Sequence, residues 1–242
     1  MFSGRKIRSS LLIAGVATGL VLAGGAQAGV VVKSSGPSAG QYPPGKKLDD
    51  ASSVTLKPGD TLTILADGGT RVISGPGTHR VAARGTSRRT TMATLTQQRP
   101  KERRIPTATR TGAALGTAPA SNLWQVDVTK SGAMCLPDLS ALTFFRPGGD
   151  QPSTYMLTAP GMIEHIHVAF PANESLVDMD SDTPTVKEGV DYVLTGPGGE
   201  SSVISFKTLA EPATTGEALG LQLMENGCES QLELLTAKMM PQ

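Results

Sequence analysis

The sequence predicts a mainly β fold: a small N-terminal β-roll, then an antiparallel β-sandwich closed by two short helices. Three observations carry that expectation. Glycine and proline are frequent, 28 and 17 in 242 residues, and they fall between short apolar runs as turns fall between strands. The runs alternate polar and apolar with period two, as in Thr61-Leu62-Thr63-Ile64-Leu65. After Thr215 the period changes and the spacing becomes helical. A charged fraction of 18%, below the ~25% of average globular chains, excludes a charge-driven disordered protein, and the composition excludes a collagen, a long coiled coil and a polytopic membrane protein.

The first 28 residues read as an export signal. Arg5, Lys6 and Arg8 precede an uncharged run from Leu11 to Leu22, and Ala26-Gln27-Ala28 is an A-x-A cleavage site. Cleavage between Ala28 and Gly29 is expected, giving a periplasmic or secreted chain with no integral membrane span after processing. No cysteine follows the apolar run, so a lipid anchor is not expected.

Strands are expected at Val30-Val31-Val32, at Val54-Thr55-Leu56 before the turn Lys57-Pro58-Gly59-Asp60, at Thr61 to Leu65, and at Thr70 to Ile73 after the hairpin signal Asp67-Gly68-Gly69. Gly75-Pro76-Gly77 closes the unit. The succession Gly36, Gly45, Leu48, then Val54-x-Leu56-x2-Gly59-Asp60-x-Leu62-Thr63-x-Leu65, Gly69-Thr70-Arg71 and Gly75-Pro76-Gly77-Thr78 resembles the FecR-type periplasmic β-domain. That resemblance covers about fifty residues and implies a small β-roll over 29–80. The whole chain is similar to uncharacterised secreted proteins of Gram-negative bacteria that join such a roll to a C-terminal domain. That domain ends in a G-C-x-x-Q-L-x-x-L helix, here Gly227-Cys228-Glu229-Ser230-Gln231-Leu232-Glu233-Leu234-Leu235.

Residues 81–121, rich in Thr, Ala, Gly, Pro and Arg, carry few large apolar side chains and are expected to be a linker, with a helical turn or two over Thr90 to Gln98. Residues 80–110 hold nine basic side chains against the single acid Glu102, whereas 111–242 hold five basic and 16 acidic ones. The basic patch comprises Arg84, Arg88, Arg89, Arg99, Lys101, Arg103, Arg104 and Arg110. Export and the lack of interleaved aromatics argue against nucleic acid as its partner. The remaining partners are the acidic half of the same chain, an envelope protein or an anionic envelope surface.

Over 122–242 strands are expected at Leu123 to Val128, Ala133 to Leu136, Leu142 to Phe145, Tyr155 to Leu157, Ile163 to Phe170, Val190 to Leu194 and Ser202 to Phe206. In the first of them Trp124, Val126 and Val128 share one face, Gln125 and Asp127 the other. Thr215 is placed to cap a helix from Gly216 to Asn226, and Gly227 to end it. A second helix from Cys228 to Lys238 puts Leu232, Leu235 and Met239 on one stripe. Cys135 and Cys228 are the only cysteines, and in an oxidising compartment an isolated pair is most simply one disulfide, the alternative being two inert thiols. Such a bond would close a long loop, worth about 4 kcal/mol at most.

Among groups that could carry chemistry, His165-Ile166-His167 is the sharpest: on a strand, i and i+2 project to one face, so both imidazoles can reach one metal. The competing reading is a solvated polar face, since Ile166, Val168 and Phe170 form the core side and no carboxylate follows at cupin-like spacing. Asp178, Asp180 and Asp182 lack the glycine and glutamate of a calcium loop. No nucleophile elbow is present. No cofactor is implied. The sequence therefore points to a non-enzymatic periplasmic binding or sensory module of the cell envelope. Its alternatives are a metal-dependent enzyme using His165 and His167, and a structural envelope protein.

Overall fold

The computed structural model describes residues 27–49, 51–81, 89–97, 122–161, 165–179 and 186–240. It is mainly β, with three α-helices among the described residues. The N-terminal part contains β1 (Gln27–Ser35), β2 (Lys47–Asp49), β4 (Thr61–Ala66) and β5 (Gly69–Ser74) in one antiparallel sheet of order β2-β1-β4-β5. A separate ribbon pairs β3 (Ser53–Leu56) with β6 (Gly77–Arg80). The hairpin signal at Asp67 acts as expected: Ala66 pairs with Gly69 across a two-residue loop. Strand β1 starts two residues before the expected new terminus Gly29, and a chain beginning there keeps every β1–β4 pair, from Val30 opposite Leu65 to Ser35 opposite Thr61.

Strand β4 departs from the two-faced pattern that its sequence suggests. Leu62, Thr63, Ile64 and Leu65 are all buried, because both faces are covered. Leu62 and Ile64 enter a small core with Val31, Leu48, Val54, Leu56, Ile73 and Val81, while Leu65 joins Val30 in the larger core of the molecule.

Asp60 organises the turn between β3 and β4. Its buried carboxylate accepts the amide of Ser38 at 2.9 Å and that of Lys57, and its carbonyl accepts the amide of Gly75 at 3.0 Å. Burial acts to raise its pKa, but hydrogen bonds from Ser38 and Lys57 and the charge of Lys57 outweigh it and hold the carboxyl below its ordinary value of 3.8. Gly36 has φ +99°, and a Cβ there would stand 2.5 Å from Asp60 Oδ1 and 2.7 Å from the carbonyl of Gly59, so this position has room for glycine alone.

The C-terminal part holds a five-stranded sheet of order β11-β10-β13-β14-β8, made of β8 (Gly132–Leu136), β10 (Ser153–Thr158), β11 (Ile166–Phe170), β13 (Asp191–Thr195) and β14 (Ser201–Thr208). A three-stranded sheet follows the order β12-β9-β7, from β7 (Gln125–Asp127), β9 (Thr143–Phe145) and β12 (Leu176–Asp178). The expectation of wholly antiparallel sheets fails at two places: β8 runs parallel to β14, and β7 parallel to β9. Period-two spacing fixes which face a residue takes but not the direction of its neighbour, so this was invisible locally. Phe144, Phe170 and Phe206 fill the core, with edge-to-face contacts from Tyr155 to Phe170 and Tyr192 to Phe206.

Within the stretch read as a linker, α1 (Arg89–Thr96) docks on this core. Met92 and Leu95 are buried in it, Trp124 Nε1 donates to the carbonyl of Thr96 at 2.9 Å, and the Leu123 amide donates to that of Leu95 at 2.9 Å. Two apolar side chains three apart on a short helix suffice once a tryptophan covers them.

The chain ends in a helical hairpin, α2 (Gly216–Glu225) and α3 (Glu229–Lys238). Thr215 caps α2 as expected, its side chain accepting the amide of Ala218. Gly227, at φ +70°, stops it in a Schellman turn: the Cys228 amide donates to Leu223 O at 2.8 Å and the Gly227 amide to Met224 O at 3.0 Å. The hairpin touches both β parts. Helix α2 packs on β1 and β4, and α3 on β5 and β8. Thr70 of β5 donates its amide to Met239 O at 2.8 Å and its hydroxyl to Thr236 O at 2.7 Å. Leu219, Leu223, Leu235 and Met239 share one core with Val30 and Leu65.

Two measurements check the Asp60 turn. Gly36→Ala should lower the unfolding free energy by about 2 kcal/mol or more, whereas Gly40→Ala, with open space around it, should stay within about 0.5 kcal/mol of wild type in urea titrations. Equal midpoints would contradict the steric argument. Because the folded pKa of Asp60 lies below the unfolded one, its contribution is complete above about pH 4 and is lost as pH falls through the folded value. The stability gap between wild type and Asp60→Asn should therefore narrow below pH 4; a gap constant down to pH 2 would contradict the assignment.

Candidate functional site

The sequence-predicted groups fall in three places. Cys135 of β8 and Cys228, the residue before α3, stand at disulfide distance, with Cα atoms 5.9 Å apart. His165 and His167 are both exposed at the edge strand β11, with ring centroids 4.6 Å apart and planes tilted by 59°. Ile166, Val168 and Phe170 point into the core, as the alternation requires. Among the described residues no three His, Cys, Asp or Glu side chains gather to hold a metal. Arg84, Arg88, Arg99, Lys101, Arg103, Arg104 and Arg110 lie outside the described residues, as does the side chain of Arg89, which opens α1.

Two buried polar side chains escaped sequence reasoning. The first is Gln231 on α3, only 3% exposed. Its Oε1 accepts the Cys135 amide at 2.7 Å, and its Nε2 donates to Cys135 O and to Leu123 O, each at 2.7 Å. Strand β8 is an edge, so Cys135 turns a backbone donor and acceptor away from β14. The Gln231 amide supplies the matching pair, as the peptide group of another strand would, and both of its N–H bonds find acceptors.

The second is Arg146, 5% exposed. Its Nε donates to Glu174 O at 2.9 Å, Nη1 to Gln151 O at 2.8 Å and to Ser153 Oγ, and Nη2 to Gly149 O at 3.1 Å and Pro171 O at 2.8 Å. All five donors are used, and the guanidinium lies 5.0 Å from the Phe170 ring centroid. It ties the loop after β9 to the loop after β11 through neutral oxygens. Its one sequence signal was being the sole arginine after residue 110.

Beside the Gln231 clamp lies a groove of about 210 Å³ between α3 and strands β7 and β8. One wall is a face of α3, Ser230, Glu233, Leu234, Ala237 and Lys238, at the spacing that puts residues on one side of a helix. The other wall includes Gln125 and Asp127 of β7, which alternate with the core residue Val126. Leu123 and Met134 are buried in its floor, and Ser230 Oγ approaches Met134 Sδ at 3.6 Å. Asp127 is fixed by the amide and hydroxyl of Thr129 at 2.9 and 2.7 Å. With Lys130, Glu233 and Lys238 it gives the lining both signs of charge.

Ligand pockets for drug-sized molecules run from about 300 to 1,000 Å³. At 210 Å³ this groove is smaller than that range. Comparison with known protein families, with curated proteins and with solved structures finds no match to this chain.

Replacing Gln231 by Leu keeps most of the volume but leaves the Cys135 amide, the Cys135 carbonyl and the Leu123 carbonyl buried without partners. A loss of about 3 kcal/mol or more is expected, at ~1–3 kcal/mol for each orphaned group. Calorimetry of the variant checks this, and an unchanged melting temperature would show that the amide is not a clamp.

Proposed function

We propose that the protein is a non-enzymatic binding module of the cell envelope, and that its contact surface for a protein partner is the groove between α3 and β7–β8. The groove itself carries this reading: an apolar floor of Leu123 and Met134, flanked by Asp127, Lys130, Glu233 and Lys238, at a size suited to an apolar side chain with charged neighbours. Its walls are firmly held. The cysteine pair and Gln231 anchor α3 against β8, which limits the ordering cost of binding. The one hydroxyl of the lining, Ser230, is turned toward Met134 Sδ at 3.6 Å. The export signal, the FecR-like resemblance of the N-terminal strands and a cysteine pair suited to an oxidising compartment support the envelope as its setting.

A photoreactive benzoylphenylalanine at Ala237, in the groove, is expected to give a discrete adduct with one envelope protein in intact cells. Charge reversal at Glu233 should weaken that adduct severalfold. No adduct from position 237, or the same adducts from the outer-sheet position Val203, would overturn the groove as the contact surface.

A further inference from the structure

The outer face of the five-stranded sheet bears an unusual residue for a solvent-facing position. Met156 of β10 is 39% exposed, and it is the register partner of His167 on β11. Directly opposed residues of an antiparallel pair have Cβ atoms ~4.5–5.5 Å apart, and a methionine thioether on three rotatable bonds has the reach to meet its neighbour's ring. His165 and His167, both exposed, already hold their rings 4.6 Å apart and tilted rather than stacked. Imidazole nitrogens bond a zinc-like ion at ~2.0–2.1 Å, so rings this close can share one ion, with Met156 on the neighbouring strand opposite His167.

We propose that His165, His167 and Met156 form a binding site for a soft monovalent metal ion, with Cu(I) as the fitting ion. The donor set decides the metal. A thioether selects Cu(I) over harder ions, while imidazole accepts either. All three donors are neutral, and among the described residues no group of three His, Cys, Asp or Glu forms that would supply the negative charge a divalent ion favours. The side chains flanking the three on this face are uncharged: Ala169 and Thr154 on one side, Thr195 opposite Met156 on β13, and Thr158 with its partner Val193 on the other. The solvent side stays open, leaving one coordination position for water or a partner's ligand. These residues lie apart from the groove, so this site stands or falls independently of the proposed protein contact.

The test is an anaerobic titration of the full chain with Cu(I) against bicinchoninate, with Ag(I) as a redox-inert stand-in for NMR of the methionine methyl groups. One Cu(I) per chain is expected, with Ag(I) shifting the Met156 methyl and both histidine rings. Met156→Leu should weaken Cu(I) binding by about tenfold or more, and His167→Ala should weaken it further. Met240→Leu, which removes another exposed methionine, should change nothing, and Met156→Leu should leave any Zn(II) binding unchanged. Circular dichroism confirms that the variants fold, which is expected because all these positions are exposed. Cu(I) uptake no stronger in wild type than in His167→Ala, or full affinity retained in Met156→Leu, would overturn the proposal.

Discussion

Strand β8 is an edge whose backbone at Cys135 has no strand on its outer side, and α3 is what completes it. Within four residues the chain makes two attachments to the same point: Cys228 reaches Cys135 at disulfide distance, and Gln231 returns the hydrogen bonds of the Cys135 peptide groups. A covalent tie alone leaves a helix free to swing, and an amide alone competes with water. Together they fix both the position and the rotation of α3. The Schellman turn at Gly227 then fixes α2 relative to α3, and α2 lies on β1 and β4. The N-terminal sheet is thus joined to the C-terminal sheets through the last helices of the chain.

This arrangement accounts for the burial of both faces of β4. A free-standing β-roll would expose one face, whereas here Leu65 lies under the helical hairpin and Leu62 and Ile64 face the small N-terminal core. It also accounts for the groove. Helix α3 uses one side, Leu235 and Met239, to fill the shared core and leaves Ser230, Leu234 and Ala237 facing the polar side of β7. The space between them exists because Gln231 holds α3 at the edge of β8 instead of flat on a sheet.

Much of this was legible in the sequence, for physical reasons that differ from element to element. The hairpin at Asp67-Gly68, the Thr215 cap and the Gly227 stop are local, since turn and cap chemistry is decided within a few residues. The His165 and His167 alternation was legible because period two alone sets strand faces. The short strands β2, β6 and β12 carry too few residues to show a period. The parallel pairing of β8 with β14 is a long-range choice. Helix α1 depends on Trp124, which lies 28 residues beyond its acceptor at Thr96. Gln231 stood in plain view within a motif, but a glutamine on a helix ordinarily faces water, and only the geometry of an unpaired edge gives it a task. In the candidate sites, the cysteine and histidine pairs were visible as chemistry, whereas Met156 and the groove required the register and the packing.

The central claim is that the helical hairpin makes one cooperative unit of the two β parts. Native-state hydrogen exchange in low urea, before and after reduction of the cysteine pair, tests it most directly. Reduction should raise exchange at the amides of β4 and β5 in step with those of β13 and β14, although neither pair contains a cysteine. Exchange in β4 and β5 that is unchanged by reduction, opening at its own separate urea dependence, would contradict it.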